Sequence, residues 1–222
     1  MRVLYHSWLS PQSRKIRMIL GEKKLEAELR IERTWERRTD FLKMNPAGDV
    51  PVLVDEDGSV ISHHMAIGEY LDEVYPEPHL MGDDPVERAE VRRIIGWFDG
   101  KMDREVTSHL VAEKVMKRFM KLGQPDSDAI RAALYNLRTH LDYIAWLVER
   151  RHYLAGARLT MADLSAASHI SVLDYLGDIH WDNFRPAREW YMMVKSRKSF
   201  RPLLDDRIAG LAPPAYYDKL DF

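Results

Sequence analysis

The sequence predicts an α+β protein in which a small mixed sheet is followed by an all-helical part. In the first eighty residues short alternating apolar runs are interleaved with helical segments, whereas almost every apolar position after Asp84 follows the helical period. The segment Tyr75-Pro76-Glu77-Pro78 separates the two patterns, because proline disfavours helical geometry in the residue before it and cannot continue the ladder. We therefore expect two domains, 1–76 and 85–222, joined by a linker over 77–84.

The composition excludes several functional classes. With 222 residues and 45% apolar composition, the chain can bury a packed core. Its net charge of −2 gives no electrostatic footprint for nucleic acid or an anionic membrane. Cysteine is absent, which excludes disulfides, thiolate metal sites and a thiol nucleophile. No window reaches the roughly 18 uninterrupted apolar residues of a spanning helix, and the N-terminus lacks a signal-peptide core. We expect a cytoplasmic protein without direct membrane insertion.

The first part is predicted to have the element order β-α-β-α-β-β-α. Ser10 before Pro11 is typical of an N-cap followed by proline at the first helical position, and Asp55-Glu56-Asp57-Gly58 is a hairpin turn. The expected elements are a strand at Arg2–Tyr5, a helix from Pro11, a strand at Glu28–Ile31, a helical turn at Thr39–Met44, a hairpin of Val50–Val54 with Ser59–Ile61, and a helix from His64 to about Val74.

The second part is predicted to consist of helices. Thr160 can cap one of them while Asp163 answers back in a capping box, and the apolar run that follows is typical of a fully buried helix. The expected helical segments are Pro85 to about Leu122, with possible kinks at Gly96 and Gly100, then Ser127–Arg150, a helix from Thr160, and Arg185–Arg197.

Three motifs in the right order and spacing resemble the cytosolic glutathione transferase superfamily. They are Asn45-Pro46-Ala47-Gly48-Asp49-Val50-Pro51-Val52-Leu53, then Ala66-Ile67-x-x-Tyr70-Leu71 running to Tyr75-Pro76, and Leu159-Thr160-Met161-Ala162-Asp163-Leu164. The resemblance covers nearly the whole chain. It implies a thioredoxin-like N-terminal domain followed by an all-α C-terminal domain with an extended tail.

The resemblance also implies a glutathione site in the first domain. By similarity Val50-Pro51 is a cis peptide, whose backbone pairs with the ligand's cysteinyl part in relatives, and Ser10 occupies the place of the residue that stabilises the glutathione thiolate. Each residue has a structural alternative. Pro51 can be a requirement of the thioredoxin-like fold alone, and Ser10 can be an N-cap alone.

The pair His63-His64 departs from the family pattern. Glutathione-using relatives carry an acidic residue and then serine here, where the acid takes the ligand's ammonium and the serine with the helix N-terminus holds its carboxylate. A neutral imidazole offers no negative charge, and a protonated one repels the ammonium. We therefore expect a degenerate glutathione site at Ser10, Val50, Pro51, His63 and His64, with weak or absent glutathione binding and no cofactor.

Other roles for the two histidines would be a metal site, a general base or a pH-sensitive surface. Adjacent residues entering a helix point about 100° apart, which is poor geometry for one metal ion, and we expect no metal site. A general base would need an orienting partner that the sequence does not identify, and a pH-sensitive surface stays open as for any histidine.

Two further segments resemble one branch of the superfamily, the FtsZ-binding FzlA branch of alphaproteobacteria. Trp35-Glu36-Arg37-Arg38 places a tryptophan among charges after the second strand, and the chain ends Pro213-Pro214-Ala215-Tyr216-Tyr217-Asp218-Lys219-Leu220-Asp221-Phe222. Each segment can instead pack on its own domain. The resemblance makes Trp35, Arg37, Arg38, Leu220, Asp221 and Phe222 the candidate partner contacts. Deletion after Ala215 is expected to leave a folded domain.

Two functions follow from the resemblance. One is a non-catalytic, homodimeric cell-division protein at the division site that binds FtsZ filaments and modulates their curvature and constriction. The alternative is a serine-type glutathione transferase or isomerase with an altered glutathione site, in which Ser10 would be catalytic.

Overall fold

The computed structural model, which describes residues 1–220, begins with a four-stranded sheet flanked by helices. Its elements are β1 (Val3–His6), α1 (Pro11–Glu22), β2 (Glu28–Ile31), a 3-10 turn (Thr34–Glu36), α2 (Thr39–Met44), β3 (Val52–Val54), β4 (Val60–Ser62) and α3 (His64–Val74). This is the predicted order of elements, and β2, α2 and α3 have the predicted bounds.

The sheet has the strand order β2-β1-β3-β4. β1 runs parallel to β2 and antiparallel to β3, so Leu4 lies between Leu29 and Leu53. The Val50-Pro51 peptide is cis, as predicted. β3 begins at Val52 instead of the expected Val50, because Pro51 has no N–H to donate to a ladder. β1 begins at Val3, while the Arg2 side chain pairs with Asp55 at 2.7 Å.

The second part begins with a continuous helical rod from Pro85 to Met120. Gly96 and Gly100, the two predicted kink positions, both lie in a segment where the rod widens into π-helical turns. Its segments are α4 (Pro85–Ile95), a π segment (Gly96–Thr107), α5 (Ser108–Val111), a second π segment (Ala112–Met116) and α6 (Lys117–Met120).

The remaining helices close the core around one buried helix. They are α7 (Ser127–Val148), α8 (Met161–Leu176), a 3-10 turn (Trp181–Asn183), α9 (Arg185–Lys195) and α10 (Arg201–Leu204). Every residue of α8 from Met161 to Tyr175 is buried. The predicted capping box is present: the carboxylate of Asp163 accepts from Thr160 N at 3.0 Å and also from Trp190 Nε1 at 3.1 Å. Asp163 therefore ties α8 to α9, and the predicted α+β fold is confirmed.

Three buried basic side chains of α1 hold the sheet part against the helical part. Arg17 makes a bidentate pair with Asp206 at 2.8 and 3.0 Å, Arg14 lies 3.6 Å from the same carboxylate, and the Lys15 ammonium pairs with Asp99. A charge is buried at low cost only when it is paired. These contacts therefore fix α1, and everything it positions, relative to the rod and to the segment after α10. Within residues 1–220 no helix combines the length and the apolarity needed to cross a membrane.

Candidate functional site

A cleft of about 830 Å³ lies between the loops of the sheet part and the helical rod. The segments that come after β1 and β2 in the chain form one wall, and the apolar face of the rod's later segments forms the other. The lining includes Ser7, Trp8, Leu9, Ser10, Ile31, Glu32, Arg33, Thr34, Trp35, Glu36, Arg38, Val50, Val111, Val115, Met116, Phe119, Ile208 and Ala209. Its surface is mostly apolar with charged groups on one side, which suits an amphipathic ligand or peptide.

Ser10 lies in the cleft wall and caps α1. Its Oγ accepts from Ser13 N at 3.1 Å and lies 3.3 Å from Gln12 Oε1, to which it donates. Both bonds are local, so the hydroxyl has a complete structural role without any ligand. Val50 also lines the cleft, so two of the five residues of the predicted glutathione site lie in it.

His63 occupies a strained backbone position at the mouth of α3. Its φ of 74° with ψ of 125° lies in a region that L-residues rarely adopt. The side chain is exposed, and its Nδ1 accepts from Met65 N at 3.3 Å, which makes a weak cap. Described contacts therefore compensate little of the strain at this residue.

Replacing His63 by glycine should stabilise the fold. Relief of the strain stabilises the folded state by about 1–3 kcal/mol. The added freedom of glycine in the unfolded chain opposes this by about 0.4–1 kcal/mol. A net gain of about 1 kcal/mol would raise Tm by about 2–4 °C in a chain of this size. His63→Ala is the matched control, since it keeps the Cβ and loses the cap. A melting experiment in which alanine stabilises as much as glycine would contradict strain as the cause.

His64 turns inward and contacts buried charges. Its Nδ1 lies 2.8 Å from Lys15 Nζ and 3.3 Å from Asp99 Oδ2, and its ring lies 4.3 Å from that of His63. Burial lowers the pKa of His64. The neutral ring accepts a hydrogen bond from Lys15 Nζ through Nδ1. The imidazole therefore fills space beside α3 that a shorter serine would leave open.

Asp99 is the centre of this buried cluster. Its Oδ1 accepts from Ser165 Oγ at 2.5 Å and from His169 Nε2 at 3.2 Å, and its Oδ2 pairs with Lys15. Burial alone would raise the pKa of Asp99, but the Lys15 charge and the His169 hydrogen bond hold it well below the usual value. An ionised carboxylate only accepts, so His169 donates through Nε2 while its Nδ1 faces Thr107 Oγ1 at 2.9 Å.

This cluster was not predicted from the sequence. Its members come from α1, α3, the first π segment and α8, at separations of up to 154 residues along the chain between Lys15 and His169. The one available signal was polar residues within otherwise apolar helix faces, such as Asp99 directly after the core residue Phe98. Among residues 1–220, no three His, Asp or Glu side chains are grouped so as to hold a metal ion.

Trp35 lies in the 3-10 turn after β2 and forms part of the cleft rim. It is 45% exposed, which leaves a large part of the indole free for a partner. Arg38 forms an ion pair with the buried Glu32 at 2.5 Å, so this arginine has a structural task as well. Arg37 is exposed with a φ of 44° and makes no ion pair within the described part of the chain.

The C-terminal segment packs on the helical part through Tyr217. That side chain is fully buried, with its ring edge-on to Tyr175 at 5.1 Å. Deletion after Ala215 was expected to leave a folded domain because little core would be removed. That reason is wrong, since the cut removes the fully buried Tyr217. Leu220 is half-buried against the core, whereas the candidates Asp221 and Phe222 lie outside the described residues.

Comparisons with known proteins find relatives of this chain in both sequence and structure. The family profile described as "Glutathione S-transferase, N-terminal domain" matches residues 9–74. "FtsZ-localized protein A" of Caulobacter vibrioides is 48% identical over 225 residues, covering all of this chain and 98% of the relative. The structure of FzlA from C. crescentus matches with a TM-score of 0.97 at 48% identity, over 100% of this chain and 99% of that one. A structure described as a glutathione S-transferase from Rhodospirillum rubrum F11 matches with a TM-score of 0.98 at 55% identity, over the full length of both.

Proposed function

The chain belongs to the glutathione S-transferase superfamily, in the branch of FtsZ-localized protein A, and from this premise we propose a non-catalytic cytoplasmic protein of the division site that binds FtsZ filaments and modulates their curvature and constriction. The full-length likeness to the Caulobacter protein, whose name describes it as FtsZ-localized, carries the proposal. The altered mouth of α3 supports the non-catalytic part.

Glutathione binding is proposed to be weak or absent, because His63 stands at the mouth of α3 where glutathione-using relatives carry an acidic residue. Loss of one partner of a buried charge pair costs about 2–5 kcal/mol, or roughly one and a half to three and a half decades of affinity. His64 also stands in place of the serine that holds the ligand's carboxylate in relatives, and its Nδ1 lies 2.8 Å from Lys15 Nζ. We therefore assign no cofactor to the chain.

The proposed FtsZ surface combines the cleft rim with the end of the chain. Trp35 is the central candidate since a half-exposed tryptophan gains much apolar burial at an interface. Its accompanying candidates are Arg37, Arg38, Leu220, Asp221 and Phe222. Arg38 contributes less, because its charge is already neutralised by Glu32.

A homodimer is part of the proposal. An aromatic stack runs along one surface of the helical part, where Tyr143 lies 4.3 Å from Trp97 and 6.2 Å from Trp146 between ring centroids. Trp146 is 48% exposed and Arg150 covers its ring at 4.5 Å. Such a surface, mixing aromatic rings and arginine, has the composition of interface cores and is suited to a two-fold contact with a second copy.

The proposal predicts that the chain pellets with GTP-assembled FtsZ and that Trp35→Ala weakens this binding about 30-fold, the effect of a hot spot worth about 2 kcal/mol. Tyr135→Ala is the matched control, because Tyr135 is an aromatic side chain 72% exposed on α7 and does not line the cleft. Wild-type chain that stays in the supernatant with assembled FtsZ would contradict the proposal.

The serine-type transferase or isomerase is the second candidate. Ser10 and Val50 line the same cleft, and a full-length relative from Rhodospirillum rubrum is described as a glutathione S-transferase. Calorimetric titration with glutathione separates the two functions. Micromolar binding that is lost in both Ser10→Ala and Ser10→Asn would establish the second candidate, because asparagine keeps the cap acceptor and removes only the hydroxyl.

A further inference from the structure

The chain end is fastened to the body by a side chain that also holds the cleft wall. Arg14 of α1 is fully buried, and its Nε donates to the carbonyl of Trp8, a cleft-lining residue, at 2.6 Å. From the same guanidinium, Nη1 donates to Tyr217 Oη at 3.1 Å and to Ser171 Oγ at 2.9 Å. One planar group therefore contacts the cleft, the buried helix α8 and the C-terminal segment.

Tyr217 is held at its ring as well as at its hydroxyl. The Oη donates to Leu203 O at 3.3 Å, and Lys195 Nζ lies 5.3 Å from the ring centroid. Burial raises the pKa of Tyr217, so the hydroxyl stays protonated and can donate and accept at the same time.

The backbone around Tyr217 forms two successive turns. Tyr217 N donates to Pro214 O at 3.0 Å, and Lys219 N donates to Tyr216 O at 3.0 Å, while Asp218 and Lys219 are exposed. Residues 218–222, which include the tail candidates for FtsZ contact, follow this anchor. A tail held at its base loses less conformational freedom on binding than a free one.

We propose that the Arg14–Tyr217 hydrogen bond anchors the C-terminal segment and positions its last residues relative to the cleft, which makes Tyr217 a positioning residue for partner binding. The positioning role rests on the proposed FtsZ function. The anchoring role does not, because it concerns only contacts within the chain.

Tyr217→Phe tests the anchor, because it keeps the ring packing against Tyr175 and removes only the hydroxyl. Tyr191→Phe is the control. It removes another fully buried hydroxyl, which donates to Asp174 of α8 at 3.1 Å. Thermal melting of both variants shows whether their losses of stability are comparable.

Cleavage by the protease Lys-C at the Lys219–Leu220 bond reports on the anchor directly, since proteolysis requires the local chain to open. Mass spectrometry on the full chain measures the rate at which the 220–222 peptide is released. We expect this rate to be roughly ten-fold higher in Tyr217→Phe than in the wild type, and unchanged in Tyr191→Phe. Release at the wild-type rate in Tyr217→Phe would overturn the anchor.

Pelleting with assembled FtsZ tests the positioning role. Tyr217→Phe is expected to bind roughly ten-fold more weakly than Tyr191→Phe. Faster peptide release with unchanged FtsZ affinity would overturn positioning and leave the anchor. Absence of binding by the wild-type chain would overturn the FtsZ function and the positioning role with it, and the Lys-C comparison would still decide the anchor.

Discussion

Replacing Asp99 by asparagine should destabilise the fold by about 3–5 kcal/mol at neutral pH, the usual cost of breaking a buried ion pair from one side. The amide leaves the fully buried Lys15 ammonium without its counter-charge. It also weakens the hydrogen bonds from Ser165 and His169, which connect the first π segment to α8. Urea unfolding measured by circular dichroism gives the difference directly.

The double variant Lys15→Met with Asp99→Leu is the control for this effect. Replacing both charges by apolar side chains of similar volume removes the uncompensated charge, and such exchanges are often neutral or stabilising by about 1–4 kcal/mol. We expect the double variant to recover part of the loss, because the uncompensated charge is gone while Ser165 and His169 still lose their acceptor. If the free energy of unfolding of Asp99→Asn lies within about 1 kcal/mol of the wild-type value, the prediction is wrong and water reaches Lys15.

The effect of Asp99 should also depend on pH. Its pKa is held well below the usual 3.8, so folding favours the ionised form. The stability that it contributes is therefore fully present above about pH 4 and is lost as the pH falls further toward the folded-state pKa. The gap between the wild type and Asp99→Asn should narrow below pH 4, as unfolding series at pH 7 and pH 3 would reveal.

The elements that the sequence predicted well are determined by local chemistry. Ser10 before Pro11 sets the start of α1, and Thr160 with Asp163 sets the start of α8, because each motif satisfies backbone groups within three residues. Strand ends were predicted less well. β3 begins two residues later than predicted, because Pro51 has no N–H for the ladder.

The candidate site was only partly predictable, because its energetics depend on distant partners. The sequence Ser13-Arg14-Lys15-Ile16-Arg17 has the alternation of charge and apolar residues of a solvated helix, and nothing local shows that its cations are buried. Their partners Asp99 and Asp206 are 84 and 189 residues away from Lys15 and Arg17. The family pattern indicated Ser10, Val50 and the mouth of α3 as candidate positions, while the inward turn of His64 required the three-dimensional contacts with Lys15 and Asp99.

Truncation after Ala215 should destabilise the fold by about 3–5 kcal/mol, the cost of removing a large aromatic side chain from a core. It removes Tyr217, which is fully buried against Tyr175, and it leaves Arg14 with one fewer acceptor for its buried donors. Loss of FtsZ binding in this variant would therefore say nothing about direct contact. Urea unfolding of the 1–215 chain measures the effect, and stability equal to that of the full chain would contradict the packing of Tyr217.

Truncation after Lys219 is the variant that isolates the chain end. It removes the half-buried Leu220 with Asp221 and Phe222 and keeps the Arg14–Tyr217 contact, so we expect a loss of stability of no more than about 1 kcal/mol. If the last three residues contact FtsZ, this chain should stay folded and fail to pellet with assembled filaments. Normal pelleting by the 1–219 chain would restrict the proposed contact to Trp35 and the cleft rim.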